Sequence, residues 1–500
     1  MSMAKTAPDQ PSSIATMARS FWFWLAAIVL IRIIALVFAD GDLGPDEAQY
    51  WTWAQHLDFG YFSKPPMIAW IIAATTGLLG DGEWAVRLGA PLLHAGTAAF
   101  IYLTARQTFN ERAAFFAGLG WLTLPGISIS SFLITTDAPL LLFWSASLFF
   151  LFRITQRSTP TTLDFALLGA MIGLGLLSKY AMLYFIAATA IAAIFSRTIR
   201  KAVLRPQLAI TAIIAAIIFA PNIVWNAAHD FQTVAHTAAN ANWADTLFKP
   251  LSLAAFLGGQ LLVFGPILFV ALVAAAIQFI RRAETGDDKF ILLVFALTPL
   301  AIVAAQAFIS RAHANWAAAA YPAGIILVSA LLLERRATLA KISLGLHAAA
   351  TVIFLVVMSN FSLADRFGAG RAVAELRGWS ALSAQVASQA RGFDAILFDD
   401  RSMIAEMFYY QRGKGLEIAA LDPNNGVHHH YEAFFPFRPT DHKRSLFVSI
   451  LPNDAHVNYR FGDIRPMGNV TAPVGDEAMR TFTLFAISDY YGPPGVQYTD

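Results

Sequence analysis

Eleven stretches of this chain are apolar for long enough to cross a lipid bilayer, and no soluble fold can bury that many. A hydrocarbon core of about 30 Å takes roughly 20 helical residues. Runs near that length stand at about 21 to 39, 85 to 105, 113 to 133, 138 to 153, 163 to 178, 181 to 196, 207 to 225, 252 to 280, 290 to 308, 316 to 333 and 342 to 360. The sequence therefore predicts a polytopic α-helical membrane protein with 11 spans, or up to 13. Composition agrees, with 57% hydrophobic and only 14% charged residues, against about 25% charged in soluble domains. A net charge of +2 with dispersed basic residues gives no basis for a nucleic-acid partner. The absence of cysteine excludes disulfides, thiolate metal sites and cysteine nucleophiles.

The first run carries Arg32 and is followed by Phe38, Ala39, Asp40 and Gly41 rather than a small-x-small cleavage site, so it reads as a retained anchor. Short inner-face loops keep Lys and Arg. Alternate connections hold Arg106 and Arg112, then Arg153 and Arg157, then Arg197, Arg200, Lys201 and Arg205, then Arg281, Arg282 and Lys289, then Arg335, Arg336 and Lys341. The alternation requires that the fourteen residues from Met67 to Gly80 do not cross. The expected organisation is an inner N-terminal tail over 1–20 and a membrane domain over 21–360 with an outer loop at about 40–84. Residues 361–500 form an outer α/β domain, with strands at 395–398, 446–451 and 481–487 and helices at 371–389 and 402–410. No internal repeat is visible.

The outer loop contains GPDEAQYWTWAQHLDFGYFSKPP, from Gly44 to Pro66. Tyr50, Trp53, Ala54 and Leu57 fall at i, i+3, i+4 and i+7, the pattern of an amphipathic helix lying on the membrane surface. Asp46 and Glu47 would occupy its first turn, where the helix dipole favours acids, yet a cap needs only one. Two carboxylates followed by Lys64 can also accept a proton from a hydroxyl and hold a departing phosphate. Lys64 can equally snorkel to headgroups, and Tyr61, Phe62 and Trp70 suit either an interfacial belt or a sugar-stacking surface.

Asp137 in ITTDAPL either caps the next span or serves the same outer face as Asp46. Lys179, with Tyr180 beside it in LLSKYAM, sits between two apolar runs on the outside, where positive charge is not expected. Arg87, Arg311 and His313 break the same rule. Together these outward cations and carboxylates predict a lipid-phosphate site, unless they only neutralise headgroups or pair locally. His229, Asp230 and His236 lack metal-ligand spacing, and His428 to His430 read as a solvated loop more readily than as a metal site.

GPDEAQYWTWAQHLDFGYFSKPPMIAWII, GDGEWAVRLGAP, LITTDAPLLLFW, GLGLLSKYAMLYF and ISRAHANWAAAAYPAG, in that order, resemble the bacterial membrane glycosyltransferases of the protein O-mannosyltransferase-like superfamily. These have the GT-C fold and include aminoarabinose and galacturonic acid transferases of lipid A and lipopolysaccharide core. The resemblance covers residues 20 to 330. It implies inverting transfer of a sugar from a polyprenyl-phosphate donor to an acceptor hydroxyl at the periplasmic face of the bacterial inner membrane, the acceptor being lipid A, lipopolysaccharide core or another surface glycan. Asp46 matches the family's first acidic position, Lys64 the KPP lysine, Asp137 the second acidic motif and Lys179 the lysine of the KY segment. Ser63 stands where the aminoarabinose branch has an acid that takes part in metal binding, so that metal site is not carried over. No cofactor is fixed by the motifs, and a divalent metal stays open.

The expected chemistry has Asp46, assisted by Glu47 or Asp137, orienting or deprotonating the acceptor, with Lys64, Lys179, Arg311, His313 and Arg87 on the phosphate side and Tyr61 and Tyr180 as substrate contacts. Two alternatives are a protein O-glycosyltransferase and, from another class, a lipid-linked sugar transporter, which internal repeats and broken helices at matching positions would favour.

Overall fold

A computed structural model describes residues 11–239, 248–282, 286–422, 426–438, 444–475 and 478–492. The chain divides into two compact bodies. One comprises Met1–Val37, Lys64–Ile68 and Arg87–Leu355, and the other Phe38–Ser63, Ala69–Val86 and Val356–Asp500. The loop and the C-terminal third, separate in the sequence reading, thus belong to one body.

The first body is a helical, multi-pass membrane bundle. Among the described residues seven helices are long and apolar enough to span: Ala15–Val37, Glu83–Thr108, Asp137–Gln156, Leu208–Ala228, Asp287–Ile309, Ala314–Arg335 and Ala337–Ser359. Two bent pairs bring the count to nine if each is one span. The run at 252–280 is one of them: Gly265 takes φ +85° and Pro266 restarts the helix, bending the axis by 118°. The run at 113–133 breaks into Glu111–Thr123 and Pro125–Ser130, and that at 163–178 forms a 17-residue helix, Thr162–Ser178. Met67–Leu79 has 13 residues, about 20 Å at 1.5 Å per residue, short of a bilayer crossing.

The break before Pro125 leaves carbonyls without helical donors, and a membrane interior supplies no water for them. Arg32, buried in the first helix, fills that need. Its guanidinium donates to the Leu122 carbonyl and, at 2.8 Å, to Ser131 Oγ. The charge that interrupts the first apolar run is therefore a helix-end clamp. The bundle core is aromatic: Trp144 meets Phe185 edge-on at 5.2 Å, and Phe264 stacks on Tyr321 at 4.2 Å. Gly169 and Gly173 let Thr162–Ser178 approach Leu208–Ala228 closely, since a Cβ at Gly169 would lie 2.5 Å from the Thr211 carbonyl oxygen.

The second body holds a five-stranded sheet of β1 (Ala395–Phe398), β2 (Ile418–Ala420), β3 (Arg444–Ser449), β4 (Phe461–Pro473) and β5 (Met479–Tyr490), ordered β2-β1-β3-β5-β4. The first three run parallel; β5 is antiparallel to β3 and β4. All of β1 is buried, as a central parallel strand requires. Helix Arg401–Tyr410 links β1 to β2 and packs against Pro45–Ala54 of the loop. Trp51 meets Tyr409 edge-on at 5.1 Å, and Thr52 and Tyr431 hydroxyls lie 3.3 Å apart. Every residue of Pro45–Ala54 except Asp46 is buried, so protein rather than lipid covers the apolar stripe that the pattern assigned to a membrane surface. Expected helix 371–389 is ordered as α-helix only over Trp379–Gln389, preceded by short 3-10 turns.

Candidate active site

In the second body, Pro45 starts the loop helix and fixes its first turn. Glu47 folds back so that its carboxylate accepts the Gly44 N–H at 3.0 Å, the reach-back half of a capping box. Asp46, one residue earlier, points outward with 63% of its side chain exposed. The two adjacent acids thus divide: one closes the turn and the other is presented. Arg401, first residue of its helix, donates through Nη1 to Asp46 Oδ1 at 2.9 Å and to Gln49 Oε1 at 3.0 Å. So exposed an ion pair contributes about 0–1 kcal/mol, and a ligand can exchange it at little cost.

Tyr61 is taken up by its own loop. Its hydroxyl bonds the Trp53 and His56 carbonyls at 3.1 Å each, accepts the Asp58 N–H at 3.1 Å, and its ring stacks on Trp53 at 4.7 Å. Burial pushes its phenol up, so it stays protonated. Behind this layer His430 contacts Trp53 edge-on at 5.6 Å and lies 4.7 Å from Phe434. Of the three histidines expected in a solvated loop, His428 is exposed, His429 half-buried and His430 buried as an aromatic wedge; the helix His430–Phe434 forms there with Glu432 accepting the His428 and His429 N–H groups. Among the described residues no three His, Asp or Glu side chains converge as a metal site requires.

Burial lowers His430 to a pKa of about 3, from an ordinary 6.5. The unfolded chain then binds a proton that the folded one does not between those values, so stability is full above about pH 6.5 and falls as pH drops through that window. Glu432, raised by burial, works in the opposite sense. Thermal unfolding of wild type and His430→Phe isolates the histidine: the variant gains stability relative to wild type as pH falls from 6.5 to 5, by up to about 1.4 kcal/mol per unit. A pH-independent difference would remove the buried imidazole as the cause.

In the first body, Asp137 begins its helix, and Lys179 follows the last residue of Thr162–Ser178. Each charge complements the dipole of the helix end it occupies. Lys179 Nζ donates to Asp137 Oδ1 at 2.6 Å, and Asn315 Nδ2 donates to Asp137 Oδ2 at 3.0 Å. Three segments distant in sequence meet at this carboxylate, whose side chain is 10% exposed. Asp137 is therefore no mere cap. Tyr180 OH donates to Asn222 Oδ1 at 2.9 Å and accepts from Asn226 Nδ2 at 3.2 Å. Arg87 is buried with its guanidinium 5.9 Å from the Phe132 ring centre. Arg311 and His313 are exposed on the segment after Asp287–Ile309, where His313 meets Trp316 edge-on at 5.3 Å. Lys64 is half-buried.

Each body thus presents a carboxylate held against a cation at the end of a helix. Residues 63–225 match the family model described as dolichyl-phosphate-mannose-protein mannosyltransferase. A lipid A galacturonosyltransferase, RgtD of Rhizobium johnstonii, is 35% identical over 444 residues, covering 86% of this chain and 91% of that protein. The chain belongs to the GT-C glycosyltransferases of lipid A and lipopolysaccharide. Within that family, the lipopolysaccharide core galacturonosyltransferase RgtB of the same organism is 29% identical over 40% of the chain and 41% of its own length. The fold match reaches ArnT from Cupriavidus metallidurans bound to undecaprenyl phosphate, at 16% identity, TM-score 0.63, and coverage of 94% of this chain and 98% of that one.

Arg401, Gln49, Asn315, Asn222 and Asn226 were not singled out by sequence reasoning. Asn222 and Asn226 carried a signal, being polar groups at i and i+4 inside an apolar run. Asn315 lies within the quoted ISRAHANW motif. Arg401 had none, since 355 residues separate it from Asp46.

Proposed function

We propose that this membrane glycosyltransferase moves galacturonic acid from a polyprenyl-phosphate carrier to a hydroxyl of lipid A, working at the periplasmic face of the inner membrane. The observation that carries this reading is the near full-length similarity to a lipid A galacturonosyltransferase; similarity to the core transferase spans less than half of either chain.

Asp46 orients the acceptor hydroxyl and takes its proton as the oxygen attacks the anomeric carbon. The bond between that carbon and the carrier's phosphate oxygen breaks, its electrons leave with the phosphate, and the configuration inverts. The leaving group carries its charge already, so cations suffice to stabilise it and no strong general acid is needed. Lys64, Lys179 and Arg311 are assigned that task, with Arg87 and His313 adding positive potential. Asp137 holds the Lys179 ammonium in position, Tyr180 is a substrate contact, and Glu47 and Tyr61 keep the loop in the shape that presents Asp46. Arg401 holds the Asp46 side chain in place until the substrate arrives.

Mass spectrometry of lipid A from cells lacking the gene, complemented with wild type or Asp46→Asn, tests this. Lipid A gains the mass of one hexuronic acid with wild type only. A hexuronic acid on the core oligosaccharide, or on protein, would overturn the assigned acceptor; a different sugar mass would overturn the donor.

A further inference from the structure

The first body contains a cleft that no part of the transfer reaction uses. It has a volume of about 840 Å³ and runs between helix Pro266–Arg282 and the end of helix Tyr321–Arg335. Ala271, Ala274 and Ala275 stand on one face of Pro266–Arg282 at three- and four-residue spacing, and their missing bulk opens the cleft against Leu331 and Leu332. Its lining extends along that helix from Pro266 to Gln278, twelve steps of 1.5 Å or about 18 Å. One leaflet's share of the hydrocarbon core is about 15 Å, so the apolar part matches an acyl chain in depth.

The far end is cationic. Arg335 and Arg336 line the cleft there, and a smaller cavity of about 120 Å³, sharing Gln278 and Arg335 with it, is lined also by Lys289. Lys289 is neutralised by Glu334, whose two oxygens accept from Nζ at 2.9 and 3.0 Å. Arg335 is steadied by a neutral group, donating to Gln278 Oε1 at 2.8 Å. Among the described residues no carboxylate pairs with Arg335 or Arg336. An apolar slot of leaflet depth that ends under two guanidinium groups with no carboxylate partner among the described residues is the complement of one molecule type, an acidic headgroup on acyl chains.

We infer that this cleft is a binding site for an anionic phospholipid, whose phosphate sits against Arg335 and Arg336 and whose acyl chain lies along Ala271, Ala274 and Ala275.

The test is native mass spectrometry of the full-length protein in detergent, titrated separately with phosphatidylglycerol, phosphatidylcholine and inorganic phosphate. Wild type is expected to bind phosphatidylglycerol at least about tenfold more tightly than phosphatidylcholine, as two nearby cations provide. Arg335→Gln/Arg336→Gln removes that preference and leaves weak phosphatidylcholine binding as it was. Both arginines are exposed, so the double variant should keep the fold. Ala274→Leu fills the slot with both cations retained and also lowers phosphatidylglycerol occupancy. Equal binding of the two lipids by wild type, an undiminished preference in the double variant, or displacement of phosphatidylglycerol by inorganic phosphate at matched concentration would each overturn the assignment.

Discussion

Asp46→Asn lowers sugar transfer by about 10²–10⁴-fold, the range expected on losing a positioned general base, while donor binding is retained. The amide keeps the carboxylate's shape on the first turn of Pro45–Ala54 but cannot accept the acceptor's proton. Asp46 is 63% exposed in its pair with the half-buried Arg401, so breaking the pair costs about 1 kcal/mol or less and the fold survives. Glu47→Gln provides the contrast: its carboxylate closes the turn on the Gly44 N–H, so this change lowers thermal stability modestly and leaves most of the rate. The measurement is transfer from a purified polyprenyl-phosphate donor in detergent, alongside thermal unfolding of each variant. Full transfer by Asp46→Asn would return Asp46 to a helix-end role.

Lys179→Met has the second large effect, and here stability and chemistry must be separated. Removing the ammonium leaves Asp137 nearly buried, with Asn315 as its hydrogen-bond donor. Stranding one member of a buried pair costs about 3–5 kcal/mol; with Lys179 itself 24% exposed, the low end applies. Adding Asp137→Asn removes the stranded charge, so the double variant recovers most of the lost stability. Transfer stays abolished, because the phosphate-side cation is still missing. Thermal unfolding and transfer assays on both singles and the double decide the point. Recovery of transfer together with stability would make the pair structural only.

The membrane character was legible because hydropathy over 20 residues is a local property, and seven of the eleven runs stand as single spanning helices among the described residues. The breaks were less legible. The bend at Gly265 and the interruption before Pro125 lie inside runs that remain apolar throughout, so a window of that length averages over them. β1, β3 and β5 stood out as β-branched and aromatic clusters, whereas β4 did not. Its sequence FGDIRPMGNVTAP carries Pro466 and Gly468 at a register shift, and among the described strands it pairs only with β5; an edge strand tolerates such residues where a central one does not.

The loop helix was recognised but given the wrong neighbour. An apolar stripe at i, i+3, i+4 and i+7 reads the same whether it meets lipid or protein, and here its rings meet Tyr409 and His430. Lys179 drew notice because it broke a rule of charge placement, Asp46 because a cap needs only one of two adjacent acids, and Asp137 because an acid at membrane depth is costly. Arg401 broke none, lying at the start of the helix after β1.

The pairing of the loop helix with Arg401–Tyr410 also imposes an order of events during biogenesis. Asp46 is synthesised early, yet its partner emerges 355 residues later, roughly 20–70 s at usual translation speeds. Throughout that interval Trp51 lacks the Tyr409 ring and Trp53 the His430 ring that they meet in the folded protein. The carboxylate assigned to the chemistry gains its guanidinium partner only after four-fifths of the chain has been made, so a product truncated before that point inserts its spans without the Asp46–Arg401 pair.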